Sequence, residues 1–179
     1  MKQICLDIET LSNKSNAAVT QIGALIFDET TGDVSDEFLV NIDIRSLDGY
    51  SFHVDYDTLG WWFNQSRDAQ QSVYGDHLVK VNIKEALSSF SKWVVAQHEK
   101  YGKNLKVWSH STFDPPILTN AYYLLGKRMP IRFIDFMDIR TLDFLTSYTT
   151  TIPRNGVHHN ALDDCRYQAK YICKMMGKL

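Results

Sequence analysis

The sequence lacks the features that would direct a chain into or across a membrane. No apolar run approaches the roughly 18 to 20 residues that a bilayer-spanning helix needs, although 44% of the 179 residues are hydrophobic. The first residues alternate like a strand and do not follow the basic, apolar and small-residue order of a secretory signal. We therefore expect one domain over residues 1–179, with no membrane partner and a cytoplasmic location.

Cysteine and net charge are also scarce. The three cysteines, Cys5, Cys165 and Cys173, form no pair at metal-ligand spacing, which predicts reduced, buried thiols and makes a disulfide framework improbable. The 19 Lys and Arg are balanced by 21 Asp and Glu, so the charge of the whole molecule does not attract a polyanion. A polyanion would have to be held locally, by a few basic residues or by metal ions.

Hydrophobic periodicity predicts strands first and helices afterwards. An antiparallel meander of three strands and a later parallel strand are expected at 3–9, 19–28, 37–43 and 105–110. Helices are expected over about 82–102, 114–126, 136–148 and 160–176. This order predicts an α/β domain with a mixed central sheet and flanking helices.

Two acids interrupt the first strand, which otherwise has a buried pattern. In CLDIET, Asp7 and Glu9 lie on one face, about 7 Å apart, because side chains alternate with a period of two. Unpaired like charges are costly in a core, so a cation between them is the favoured interpretation. The alternative is that both acids lie at the exposed end of the sheet, paired with arginines.

Further acids and histidines flank the predicted helices. Asp114 before Pro115 is either an ordinary N-cap or a site residue at the carboxyl end of the sheet. In HHNALDD, Asp164 lies on the inward face of the last helix, whereas Asp163 is expected on a solvated face. His158 and His159 precede that helix in a Gly-containing loop, where a surface position is the alternative to a functional one.

Taken together, these segments resemble the three motifs of the DEDDh 3′-to-5′ exonucleases, the superfamily of polymerase proofreading subunits, ribonuclease T and oligoribonuclease. The matching positions are Asp7-Ile8-Glu9-Thr10, Phe113-Asp114, and the set His159, Ala161 and Asp164. The resemblance implies a ribonuclease-H-like fold. The stretches at 58–66 and 137–142 look closest to a subgroup with phage exonuclease A and bacterial exoribonucleases, some labelled exodeoxyribonuclease VIII. The WSHSTFD context departs from the Asn or Gly that many relatives carry before Phe-Asp.

The resemblance also implies a mechanism. Asp7, Glu9, Asp114 and Asp164 would hold two divalent cations, and their hard oxygen donors favour Mg²⁺ or Mn²⁺ over zinc. His159 would be the general base, with a pKa near neutrality. The enzyme would act on the 3′ end of single-stranded DNA or RNA and release nucleoside 5′-monophosphates.

Contacts with the substrate are expected beside this centre. Thr10 follows the first motif, and Leu11 is either an apolar wedge near the terminal nucleotide or simple strand-end packing. One of Trp61 and Trp62 is expected in the core and the other, for which we choose Trp62, on a terminal base. Arg140 either contacts phosphate or pairs with Asp138.

Two other functions stay open at this point. One is a metal-dependent hydrolase of dinucleotides or small nucleotides, and the other is a catalytically silent nucleic-acid-binding module. Proteins of the family are often homodimers, so the resemblance also implies a homodimer as one arrangement.

Overall fold

One mixed sheet organises the chain in the computed structural model, which describes residues 1–149 and 151–177. Its strands among these residues are β1 (Lys2–Thr10), β2 (Val19–Asp28), β3 (Val34–Ile42), β4 (Lys80–Val81), β5 (Val107–Ser109) and β6 (Phe136–Asp138). They lie in the order β4-β3-β2-β1-β5-β6. The first three strands pair antiparallel, and β5 lies parallel to β1, as predicted.

Six α-helices flank the sheet in the described part of the chain: α1 (Tyr56–Phe63), α2 (Arg67–Tyr74), α3 (Ile83–Tyr101), α4 (Asp114–Leu124), α5 (Ile139–Thr146) and α6 (Ala161–Met175). Side-chain caps are present at the predicted starts of two of these helices. The Asn82 side chain accepts the N–H of Glu85 at 2.9 Å, and the Asn160 side chain accepts the N–H groups of Leu162 and Asp163. These bonds explain why α3 and α6 begin where the sequence predicts.

The predicted helix over 136–148 is wrong in its first turn. Phe136–Asp138 form β6, which pairs with β5, and α5 starts only at Ile139. The Asp138 carboxylate accepts the N–H of Thr141 at 2.8 Å. Asp138 is therefore the N-cap of α5, and the helix begins at the next residue. The short elements α1, α2 and β4 were not predicted, because eight residues or fewer carry little periodic signal.

Both faces of the sheet are covered. Ile4, Leu6 and Ile8 of β1 belong to an apolar cluster that includes residues of α3 and α4. On the other face, Cys5 joins a cluster with Cys165 and other residues of α6. All three cysteines are buried and none forms a disulfide within the described residues, as predicted. Since side chains alternate, Asp7 and Glu9 must lie on the α6 side of β1.

Gly23 of β2 lets α6 approach the sheet closely. A Cβ atom at this position would lie 2.4 Å from the carbonyl carbon of Ala161, in the first turn of α6. The close packing brings the N-terminal end of α6 over β1 and β2. None of the helices in the described residues has the length and apolar character needed to cross a bilayer.

Candidate active site

A cleft of about 780 Å³ opens where β1 and β5 end. Its lining includes all the predicted metal ligands and the predicted base: Asp7, Glu9, Asp114, Asp164 and His159. These residues come from β1, α4, α6 and the loop before α6. The fold thus brings together side chains that are far apart along the chain.

Asp7 and Glu9 are buried, with 7% and 8% of their surface exposed. Asp7 Oδ1 accepts a hydrogen bond from the Gln168 amide at 2.8 Å. Burial raises the pKa of both carboxyls, and the neighbouring acids Asp114 and Asp164 raise it further. The alternative of an exposed, arginine-paired position at the sheet end is therefore wrong for Asp7.

Asp114 is not the N-cap of α4, because that position is taken by Phe113. The Asp114 carboxylate accepts the N–H of His110 at 2.8 Å, and only 1% of the residue is exposed. Burial raises the pKa of Asp114 to about 7, although hydrogen bonds from backbone N–H groups favour its charged form. A buried carboxyl at the carboxyl end of β5 is placed to act in the cleft.

Asp164 and Asp163 are both partly exposed, but they differ in their contacts. Asp164 pairs with Arg154, and burial raises the Asp164 pKa while Arg154 opposes the rise. Asp163 accepts the N–H of Val157 at 2.7 Å and the guanidinium of Arg166 at 2.5 Å. Asp163, whose side chain is 17% exposed, is thus paired as well as partly solvated, and it ties the preceding loop to α6.

His159 lies in the left-handed region, with φ of 62°. Its ring contacts Trp61 edge-on, with 4.7 Å between ring centroids, and lies 3.9 Å from the ring of His158. Burial lowers the His159 pKa to about 4, with smaller contributions from the neighbouring His158 and Arg154. The imidazole is thus neutral at pH 7, and its pKa lies below the near-neutral value that the sequence predicted.

The donor set fits a divalent cation. Ligand atoms of Glu9, His159 and Asp164 all lie within 4.8 Å of one another. Three of the four acids, Asp7, Glu9 and Asp114, are nearly fully buried, where unneutralised carboxylates are costly. A carboxylate-rich group of this kind suits a hard cation, which would favour the ionised acids.

The predicted substrate contacts fare differently. Thr10 lines the cleft, and its hydroxyl donates to the carbonyl of Ser12 at 2.6 Å. Leu11 belongs to the apolar core with 6% exposure, which favours the strand-end packing interpretation over a wedge. Trp62 is 3% exposed and its indole N–H donates to the Thr10 carbonyl at 2.9 Å.

Two cleft residues were missed or misassigned from sequence. Trp61, with 44% exposure, is the accessible member of the tryptophan pair, so the choice of Trp62 is corrected. No sequence pattern identified Arg154, because a single arginine in a loop belongs to no hydrophobic periodicity or motif. Arg140 donates to Thr112 at 3.2 Å and not to Asp138, whose carboxylate binds N–H groups of Ser111 and Thr141.

Comparisons with known proteins identify the family and the fold of the chain. The model of the 3′-5′ exoribonuclease Rv2179c-like domain matches residues 2–176. No curated protein matches the chain significantly. Among solved structures, the nuclease domain of 3′hExo, a DEDDh family member bound to rAMP, is similar with a TM-score of 0.66 and 12% identity, covering 98% of this chain and 92% of that chain.

A second similar structure is E. coli exonuclease I in complex with a dT13 oligonucleotide. Its TM-score is 0.60 at 12% identity, and the match covers 99% of this chain and 40% of that chain. The cell-death related nuclease 4 gives a TM-score of 0.55 at 13% identity, over 98% of this chain and 64% of that chain. These likenesses confirm the predicted ribonuclease-H-like fold. The family match extends over nearly the whole chain, which therefore belongs to the 3′-5′ exoribonuclease Rv2179c-like family.

Proposed function

We propose that this chain, as a 3′-5′ exonuclease, hydrolyses the terminal phosphodiester of single-stranded DNA or RNA and releases nucleoside 5′-monophosphates. The observation that carries the proposal is the convergence of Asp7, Glu9, Asp114, Asp164 and His159 in one cleft. Residues 1–179 would act as one exonuclease domain. The ligands of two similar proteins, rAMP in one and dT13 in the other, support a nucleotide product and a single-stranded substrate.

The four carboxylates would hold two divalent cations, Mg²⁺ or Mn²⁺. Such ions, when bound, activate a water and neutralise the leaving 3′-oxygen of a phosphodiester. The protein orients the carboxylates through its own hydrogen bonds. Gln168 holds Asp7, and the N–H of His110 holds Asp114. Because these bonds come from the fold, the ligand atoms need little rearrangement on binding.

His159 would take the proton from the attacking water as general base. Its imidazole is neutral at pH 7, so a ring nitrogen is free to accept a proton. Trp61 packs against the ring, and Asp163 holds the loop that carries it. A base with a low pKa accepts the proton less readily, and a nearby anionic phosphate would raise that pKa again.

Trp61 replaces Trp62 as our proposed stacking residue for a terminal base. It is half-exposed beside His159, while Trp62 supports it from the core at a ring-centroid distance of 5.1 Å. Stacking of a base on an aromatic side chain contributes about 1 to 3 kcal/mol. Thr10 stays a predicted substrate contact at the same edge of the cleft.

The test is degradation of 5′-labelled single-stranded RNA and DNA, as twenty-mers and dinucleotides, with Mg²⁺, Mn²⁺, Zn²⁺ or EDTA. A ladder that shortens from the 3′ end should form with a divalent cation and disappear in EDTA. Asp7→Asn should abolish it, and His159→Ala should slow it by about 10² to 10⁴-fold. Asp48→Asn, at an exposed acid, is the matched control.

Each other outcome has a distinct meaning. Cleavage confined to dinucleotides would replace the proposal with a small-nucleotide hydrolase. Binding of oligomers without cleavage under every metal condition would favour a silent binding module. The preferred sugar and metal follow from the same gels.

Several finer predictions belong to this proposal. They are membership of the phage exonuclease A and exodeoxyribonuclease VIII-labelled subgroup, a homodimer, and a cytoplasmic location. The first depends on the stretches at 58–66 and 137–142, which form α1 with its following turn and β6 with the start of α5. Sedimentation of the purified chain would test the second.

A further inference from the structure

Arg154 is the cation that pairs directly with an acid of the cleft in the described residues. Its guanidinium contacts the Asp164 carboxylate, and its side chain is 28% exposed. The guanidinium carbon also lies 4.7 Å from the ring centroid of Tyr167, one turn further along α6. Arg154 is therefore held by two side chains of α6 at the rim of the acid cluster.

The positive charge of Arg154 acts on more than its partner. It favours the ionised forms of Glu9 and Asp164 and disfavours protonation of His159. It thus serves as the counterion of the cluster when no other cation is bound.

The balance of charge changes when divalent cations bind. Fully ionised, Asp7, Glu9, Asp114 and Asp164 carry four negative charges, which two divalent cations neutralise without help. The guanidinium of Arg154 is then a surplus positive charge beside metal ions, which repel it. A phosphodiester supplies the missing anion, and the planar guanidinium fork matches the geometry of phosphate oxygens.

We propose that Arg154 is a substrate-binding residue that exchanges partners: it pairs with Asp164 in the metal-free protein and binds the phosphate of the terminal nucleotide in the loaded enzyme. The proposal deepens the exonuclease function above and rests on it. Arg154 lies in the loop between α5 and α6, so its side chain reaches the cleft independently of the carboxylates on β1, α4 and α6. The alternative, a counterion with a purely structural role, makes different predictions.

The experiment compares binding of adenosine 5′-monophosphate and adenosine to the full chain in the presence of Mn²⁺. Calorimetry on wild type, Arg154→Gln and Arg154→Lys gives the affinities. Arg45→Gln is the matched control, because it also removes a guanidinium–carboxylate pair, with Asp43 on the surface. We expect Arg154→Gln to weaken binding of the monophosphate about tenfold or more, while adenosine binding and the Arg45→Gln variant stay unchanged.

A second readout is the thermal midpoint with EDTA and with Mn²⁺. Loss of a counterion should lower the midpoint of Arg154→Gln more in EDTA than in Mn²⁺. An equal drop in both conditions, with unchanged monophosphate affinity, would overturn the proposal and leave a structural role.

Arg154→Lys keeps the positive charge but removes the planar guanidinium group. This variant tests phosphate binding by Arg154 if Arg154→Gln does not fold. Its monophosphate affinity should fall severalfold, and wild-type affinity would overturn the proposal. If the wild-type enzyme releases no nucleotide from any strand, the exonuclease function fails, whereas the binding measurement still decides the role of Arg154.

Discussion

Among the single residues, four acids that line the cleft are destabilised in their ionised form by burial. Burial is the largest cause of the raised pKa of Asp7, Glu9, Asp114 and Asp164. Mutual repulsion adds to it for the two acids of β1. The metal-free fold therefore holds these groups at a cost in stability that a bound cation removes.

The stability of the metal-free protein should fall between about pH 6.5 and 8. The folded pKa of Asp114, about 7, exceeds its ordinary value of 3.8, so the folded state binds more protons than the unfolded state in this range. Stability that depends on a raised pKa is lost as the pH rises through the folded value. Denaturation by urea in EDTA at several pH values measures the slope, and Mn²⁺ should abolish it.

The urea denaturation series should begin at about pH 6.5, because histidines also change the stability below that pH. Burial lowers the pKa of His98, His110 and His159, which increases stability with rising pH but only below their unfolded value. The control is Asp114→Asn, which removes the titrating carboxyl and retains an oxygen that accepts from the His110 N–H. Two results would contradict the prediction that ionisation of the buried acids destabilises the fold. One is an equal slope of unfolding free energy against pH in the wild type and this variant, and the other is a stability that rises above pH 6.5 in EDTA.

At the scale of elements, the position of α6 decides whether the site assembles. Its first turn carries Asp164 and follows His159 directly. It can approach β2 only because Gly23 has no side chain, and the Ala161 N–H donates to the Gln21 side chain at 2.7 Å. A change at this contact moves the helix and two site residues together.

Gly23→Ala should destabilise the fold by about 1 to 3 kcal/mol, the usual cost of overpacking. The added methyl meets backbone atoms of Ala161 and Leu162 at 2.4 to 2.6 Å, which cannot move without shifting α6. Exonuclease activity should fall more than stability alone explains. Urea denaturation and nucleotide release at a temperature where the variant is folded measure both effects.

Gly60→Ala is the matched control for that substitution. Gly60 lies within α1, and a Cβ atom there meets nothing within 4 Å. Alanine should stabilise this helix by up to about 1 kcal/mol. If Gly23→Ala behaved like Gly60→Ala, the close approach of α6 would not matter for the site.

Asp163→Ala should lower kcat about tenfold with little change in KM, since Asp163 acts through His159 and touches no substrate. The substitution removes the acceptor for the Val157 N–H and frees the loop that positions the base. Glu37→Gln is the control, because it breaks only the other ion pair of Arg166. Reduced stability with unchanged kcat would show that Asp163 serves the fold alone.

For the whole molecule, the near-neutral net charge does not favour an extended basic surface for nucleic-acid binding. The formal net charge is −2 at pH 7, so strand binding depends on the cleft and not on an extended basic surface. The slope of log affinity against log salt should be shallow, about −2 or less in magnitude, which corresponds to a few phosphate contacts. Fluorescence anisotropy with a single-stranded twenty-mer in Ca²⁺ measures it, and a slope steeper than about −5 would indicate many more contacts.

Local patterns in the sequence were enough to predict the class of fold and to select the candidate site residues. Period-two alternation in CLDIET, the Asn82 and Asn160 caps and the three motifs were sufficient for β1, α3, α6 and the identity of the acids, because each is a local pattern. Periodicity placed Asp164 on the inward face of α6, and the Asp7–Gln168 bond lies on that same side of the helix.

The neighbours of the candidate site residues follow from contacts between distant segments of the chain. Trp61 and Trp62 are adjacent in sequence, and the packing of α1 against β1 exposes the first and buries the second. Arg154 meets Asp164 because a loop folds back onto α6, and the low pKa of His159 depends on burial and on charges from that loop. Contacts between distant segments leave no periodic trace in the sequence, since exposure and electrostatic environment arise only when the elements pack.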